Sequence, residues 1–205
     1  MKKILLTITI IFLILFLSFR LVVFDFDFYK KEFEKHNIYD KLGRENVDNL
    51  SSGLITYLEG KSELKNKIFS NKESLHLIDV KNLIKKSFSL FYVVFAAFIL
   101  LLMYSLYKKD KKTGNVFIFG GILTLLLILV IFLLAKISFD YLFTQFHYLS
   151  FDNELWLLNE KDILINLFPI GIFYDFLMRI ILNNCFFAFG SIVFGIFLNK
   201  VLSIK

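Results

Sequence analysis

Three histidines stand at positions 36, 76 and 147 of this 205-residue chain, and two of them have matching surroundings. His76 lies in Lys72-Glu73-Ser74-Leu75-His76-Leu77-Ile78-Asp79-Val80-Lys81. On a helix, Glu73, His76 and Asp79 at i, i+3 and i+6 come near one face. A carboxylate there can hold one imidazole nitrogen and fix the tautomer of the other. His147 lies in Phe146-His147-Tyr148-Leu149-Ser150-Phe151-Asp152-Asn153-Glu154-Leu155-Trp156. Each of the two follows or precedes a long apolar stretch, so bundling of those stretches would let the imidazoles meet and share general acid–base work. His36, in a run of Lys, Glu and Asn, reads as a solvated bystander. His147 and Asp152 have an HxxxxD spacing that chance alone produces readily, and no chemistry is assigned to it. A single Cys excludes a disulfide framework and any Cys-based zinc or iron–sulfur cluster, and the scattered histidines lack HExxH-type spacing; no metal site is expected.

The elements that must position these residues are membrane spans. Hydrophobic side chains make up 57% of the chain and there are 27 Phe and one Pro, against about 45–50% apolar residues in soluble domains. With about 20 residues needed to cross the hydrocarbon, four stretches qualify, at 4–24, 88–107, 116–139 and 170–198. The first follows Lys2 and Lys3, but bulky residues from Phe19 to Phe24 offer no signal-peptidase site, so it is read as an uncleaved span. Lys2, Lys3, the Lys108–Lys112 loop with Asp110, Lys200 and Lys205 together hold eight basic residues and one acidic, a net +7; the remainder holds 16 basic and 17 acidic, a net −1, and the chain totals +6. Short cytoplasmic loops gather Lys and Arg, so both termini and the loop are expected in the cytoplasm. The positive charge is then topology, and no nucleic-acid partner is expected.

The expected fold is an all-α membrane protein, a single domain over 1–205 with four transmembrane helices and a helical extracytoplasmic cap built from segments 25–87 and 140–169. In the first segment Val47, Leu50, Leu54 and Leu58 recur at helical spacing up to Gly60, and a second helix begins near Asn71 and runs into the second span. The rows Val47 to Leu58 and Leu75 with Ile78 are expected to pack on each other or to lie on the bilayer. Charges inside spans need compensation: Asp175 and Arg179 at i and i+4 in the fourth span, and Arg20 at the end of the first, are expected to pair or to line a polar pocket open to the outer leaflet. Lys136 reads as an interfacial anchor and Cys185 as a packing residue.

Phe28-Tyr29-Lys30-Lys31-Glu32-Phe33-Glu34-Lys35, Glu73 to Lys81, Phe146-His147, Phe151, Asn153, Trp156-Leu157-Leu158, Asp162 and Phe168-Pro169 together resemble the lipoprotein intramolecular transacylase family of four-span bacterial membrane proteins over nearly the whole chain. The chain departs from that pattern at Asn159-Glu160, where an acidic-Pro pair is expected, and in the apolar run after Pro169. The resemblance implies an acyltransferase in the bacterial cell membrane acting on diacylglyceryl-modified lipoproteins among membrane lipids. It would move the sn-2 acyl chain from glycerol oxygen to the α-amine of the N-terminal Cys, with His76 and His147 catalytic and no cofactor. Asn153, Trp156, Tyr29 and Arg20 are the available donors for the oxyanion. A non-catalytic membrane scaffold or envelope-assembly protein is the competing expectation, and a small transporter the third.

Reporter fusions test the orientation: fusions after Lys205 and within Lys108–Lys112 should read as cytoplasmic and one near Asp48 as external, and the reverse pattern would invert every site placed here.

Overall fold

The computed structural model describes residues 2–64 and 68–204. Eight helices run α1 (Lys2–Val23), α2 (Phe26–Lys35), α3 (Ile38–Leu42), α4 (Arg44–Leu58), α5 (Asn71–Tyr107), α6 (Thr113–Ser150), α7 (Ile163–Leu167) and α8 (Ile170–Ile204), with no strand among the described residues. α1, α5, α6 and α8 each contain an 18-residue window of mean hydropathy 2.0 or more, long and apolar enough to cross a membrane. In hydrocarbon a helix satisfies every backbone polar group internally. α5 and α6 are longer than the stretches expected to cross, 88–107 and 116–139: α5 begins at Asn71 and α6 continues to Ser150.

Two compact units are present. The first comprises Met1–Leu21, Phe88–Leu133 and Met178–Lys205. Its α6 and α8 meet along small residues spaced by seven. A Cβ on Gly195 would lie 2.5 Å from the Gly114 carbonyl oxygen, and one on Gly121 2.5 Å from that of Ala188. Without side chains at these positions the backbones approach closely, the favoured contact where apolar burial gives no net drive. Polar pairs mark the same seam: Ser191 Oγ donates to the Phe117 carbonyl at 2.9 Å, and Asn199 Nδ2 to Asn115 Oδ1 at 2.6 Å. Leu6, Ile10 and Ile14 of α1 pack on Val116, Phe117 and Ala188. Lys3 meets Asp110 at 3.0 Å, which sets the start of α1 beside the loop between α5 and α6. Cys185 is exposed on α8 and does not serve as the packing residue expected of it.

The second unit comprises Val22–Ser87 and Leu134–Leu177. Asp25 caps α2 by accepting the Phe28 N–H at 3.1 Å, and Gly43, at φ +80°, turns the chain from α3 into α4. The expected row on α4 points inward. Val47 joins Phe33, Ile38, Tyr39, Leu167 and Ile172 in one cluster, and Leu54 joins Tyr57, Leu77 and Leu164 in another. Leu75 and Ile78 lie exposed, and Glu73, His76, Leu77 and Ile84 are the buried residues of α5 here. α6 breaks at Ser138, whose backbone is extended (φ −160°, ψ 97°). The Ser138 hydroxyl accepts the Tyr141 N–H at 3.3 Å, as an N-cap does. A fresh helical segment after this break carries His147.

The glycine seam yields a stability prediction: Gly195→Val should cost about 1–3 kcal/mol through overpacking, read as a lowered thermal midpoint in detergent. Gly190→Ala, which meets no atom within 4 Å, should leave the midpoint unchanged or slightly raised.

Candidate active site

All residues that surround the two imidazoles belong to the second unit. The His76 and His147 rings lie 6.2 Å apart between centroids and are tilted by 33°. Phe143 stands 4.3 Å from the His147 ring and Trp156 4.9 Å, while Phe151 touches both imidazoles, at 5.2 and 5.7 Å. His76 is 9% exposed and His147 8%. His147 Nδ1 lies 2.8 Å from the Phe143 carbonyl. A carbonyl only accepts, so Nδ1 carries the proton and Nε2 presents a lone pair. His76 Nδ1 is buried with no hydrogen-bond partner among the described residues. Burial, then the neighbouring His147, lowers the His76 pKa from 6.5 to about 4 against the pull of Asp79. Burial also lowers that of His147, opposed by the Phe143 hydrogen bond. Both groups rest as neutral bases.

Neither carboxylate on α5 holds an imidazole in the way the helical spacing suggests. Glu73, 1% exposed, accepts the Ser70 N–H at 2.7 Å while Ser70 Oγ accepts the Glu73 N–H at 3.3 Å. This is a capping box, legible as Ser70-x-x-Glu73, and it puts the cap one residue before the expected helix start near Asn71. The other Glu73 oxygen accepts the Leu164 N–H at 2.7 Å, tying the start of α7 to the start of α5. Asp79 accepts a hydrogen bond from Asn153 Nδ2 at 2.9 Å, and Asn153 Oδ1 accepts the Leu155 N–H at 2.9 Å. Lys72 Nζ donates to the Leu157 carbonyl at 2.5 Å. These ties hold the 151–162 loop so that Trp156 covers His147.

The other expected residues lie elsewhere. The Tyr29 hydroxyl donates to the Val23 carbonyl at 3.2 Å, and its ring packs on Phe28, Phe33, Phe168 and Phe176, so it belongs to the core around α2. Burial, then the Asp25 charge, pushes its hydroxyl well above the usual tyrosine range. Asp175 pairs with Lys35 Nζ at 2.6 Å and His36 Nε2 at 2.7 Å, not with Arg179. His36 is thus no bystander: it packs closely on α8, where a Cβ on Gly171 would be 2.5 Å from its Cε1. Glu32, His36 and Asp175 offer donor atoms within 4.8 Å of one another, the spacing a metal would need. The Lys35 ammonium already occupies the Asp175 carboxylate. The signal available in the sequence was Glu32 and His36 at i, i+4; nothing local pointed to Asp175. In the first unit, Arg20 donates to the Tyr92 hydroxyl at 3.3 Å and lies over the Phe88 ring, and Arg179 is exposed.

The fold and the site together define a multi-pass helical membrane protein in which two buried imidazoles stand side by side. Residues 4–173 match the family described as lipoprotein intramolecular transacylase Lit. The crystallised membrane-integral transacylase Lit from Bacillus cereus superposes with a TM-score of 0.88 at 25% identity, covering 100% of this chain and 97% of that one. Two variants of that protein with one histidine replaced, by alanine and by arginine, give 0.84 and 0.83, also at 25% identity, and cover 94% and 92% of their own chains. An uncharacterized protein of Aquifex aeolicus (strain VF5) is 30% identical over 141 residues; the match spans 66% of this chain and 58% of that relative's length. The chain belongs to the lipoprotein intramolecular transacylase family.

The depressed His76 pKa has a measurable consequence. Since the fold favours the neutral ring, the stability it contributes is complete above about pH 6.5 and declines as pH falls toward about 4. In NMR titrations of ring-labelled protein, His76 should stay neutral down to about pH 5; a midpoint near 6.5 would contradict the burial argument.

Proposed function

We propose that this chain transfers the sn-2 acyl chain of a diacylglyceryl-modified lipoprotein from the glycerol oxygen to the α-amine of the N-terminal Cys, giving the lyso form. The observation that carries the reading is the pair of buried, neutral imidazoles 6.2 Å apart in a member of this family. Proton counting explains why two bases are useful. The α-amine, of pKa about 7.7–8.0, enters largely as an ammonium, and the amide nitrogen that leaves has lost two protons. One must go before attack, so that the lone pair can add to the ester carbonyl. The second leaves the nitrogen of the tetrahedral adduct, and a proton reaches the glycerol oxygen as the C–O bond breaks. One proton is released overall, and the ester becomes an amide. His147, with Nε2 free, and His76 can divide these transfers.

Donor and acceptor are tethered through one Cys, so proximity supplies much of the rate and no covalent enzyme intermediate is required. Asn153 has a second amide N–H beyond the one given to Asp79, and Trp156 an indole N–H; both are offered to the developing oxyanion. The proposed placement is in the bacterial cell membrane with both termini cytoplasmic and the imidazole pair facing outward. The +7 count and the contact of Lys3 with Asp110 at one end of the first unit support it.

Intramolecular transfer leaves the lipoprotein's mass unchanged, so the test is fragmentation mass spectrometry of lipoprotein N-termini from a host lacking N-acylation. Expressing this chain should convert free-amine fragments to N-acylated ones, and His76→Ala or His147→Ala should slow conversion about 10²–10⁴-fold. If expression yields no N-acylated fragments, the transacylase reading fails; if both replacements leave conversion at the wild-type rate, the two imidazoles are not its acid–base pair.

A further inference from the structure

The amine that reacts arrives with a charge, and the walls around the imidazoles are Phe143, Phe151 and Trp156. Two neutral imidazoles and aromatic faces give an ammonium no full counter-charge, and removing it from water uncompensated is strongly unfavourable. Two carboxylates flank His76 on α5, three residues to either side. Both Glu73 oxygens are occupied, by the N–H groups of Ser70 and Leu164, and its side chain is sealed from solvent. Asp79 differs. Its Oδ2 accepts the Asn153 bond, and its Oδ1 has no hydrogen-bond partner among the described residues. Asn153 is itself braced through Leu155 in the loop that carries Trp156, so Asp79 is tied to that loop at a contact still open to solvent, within electrostatic reach of His76.

We propose that Asp79 is the specificity-determining counter-ion that receives the α-ammonium of the lipoprotein's N-terminal Cys, an inference that rests on the transacylase reading. A carboxylate raises the basicity of an ammonium it holds, which would oppose deprotonation if the charge then left its field. Here it does not leave. The nitrogen gives its proton to an imidazole, and the imidazolium formed remains near Asp79, whose charge already favours protonated His76. The same carboxylate therefore stabilises the cation before and after the transfer.

The test uses the full chain in detergent and two non-reacting probes, dialkyl-ether analogues of the diacylglyceryl-Cys peptide carrying either an α-ammonium or an α-hydroxyl. The wild type should bind the ammonium probe at least about tenfold tighter, as loss of a charge-assisted hydrogen bond entails. Asp79→Asn keeps an oxygen to accept from Asn153 and should bind the two probes alike; Asp79→Glu should retain the preference. The proposal is overturned if the wild type shows no preference or if Asp79→Asn keeps it. If the wild type binds with the preference but gives no N-acylated lipoprotein in the fragmentation assay, the amine site stands as a binding site and the transacylase reading fails.

Discussion

Glu73 is a carboxylate withdrawn from water to 1% exposure, and the site's geometry hangs on how its charge is compensated. Removing such a group from solvent is unfavourable unless every lone pair has a partner, and here the partners are backbone N–H groups of two different helices. One closes the first turn of α5; the other draws the start of α7 against it. Satisfying one buried charge thus fixes the origin of the helix that bears His76. It also anchors the C-terminal end of the loop that bears Trp156.

Apolar surroundings serve the bases as much as the fold. A solvated imidazole near pH 6.5 would be partly protonated in neutral medium and so partly useless as a base. Enclosure by Phe143, Phe151 and Trp156 keeps both rings neutral, and the bond from His147 Nδ1 to the Phe143 carbonyl decides which nitrogen offers its lone pair. A proton accepted by either ring is held in a medium that disfavours the charge, so it is passed on readily.

Within the first unit, the constraint is the absence of a solvent that would drive apolar surfaces together. Gly114, Gly121, Ala188 and Gly195 replace that drive with close backbone approach, and hydrogen bonds from Ser191 and Asn199 fix the register of the two helices. Only 6% of the apolar window of α5 is buried within the protein, so its Leu, Phe and Val side chains face the surroundings that their hydropathy suits.

Local composition and periodicity are properties of neighbouring residues, and they sufficed for what depends on neighbours. The four spans, the inward row of α4 and the run of α5 from Asn71 into its span were legible because twenty apolar residues or an i, i+3, i+4 pattern need no distant partner. The matched settings of His76 and His147 were legible too, as were their place before α5's crossing and after α6's. Partnership across the chain was not. The spacing of four residues offers Arg179 as a partner for Asp175, yet its partners are Lys35 at the end of α2 and His36 just after it, 139 residues away in the case of His36. Glu73 was read as an imidazole partner because helical spacing allows it, whereas Leu164, 91 residues on, claims one of its oxygens. Ser138 has no sequence signature strong enough to announce a break in so apolar a helix, and the break decides where His147 points. Helices form from what lies within a few residues; charges, caps and catalytic neighbours are settled only when the chain has packed and each buried polar group has found its nearest partner.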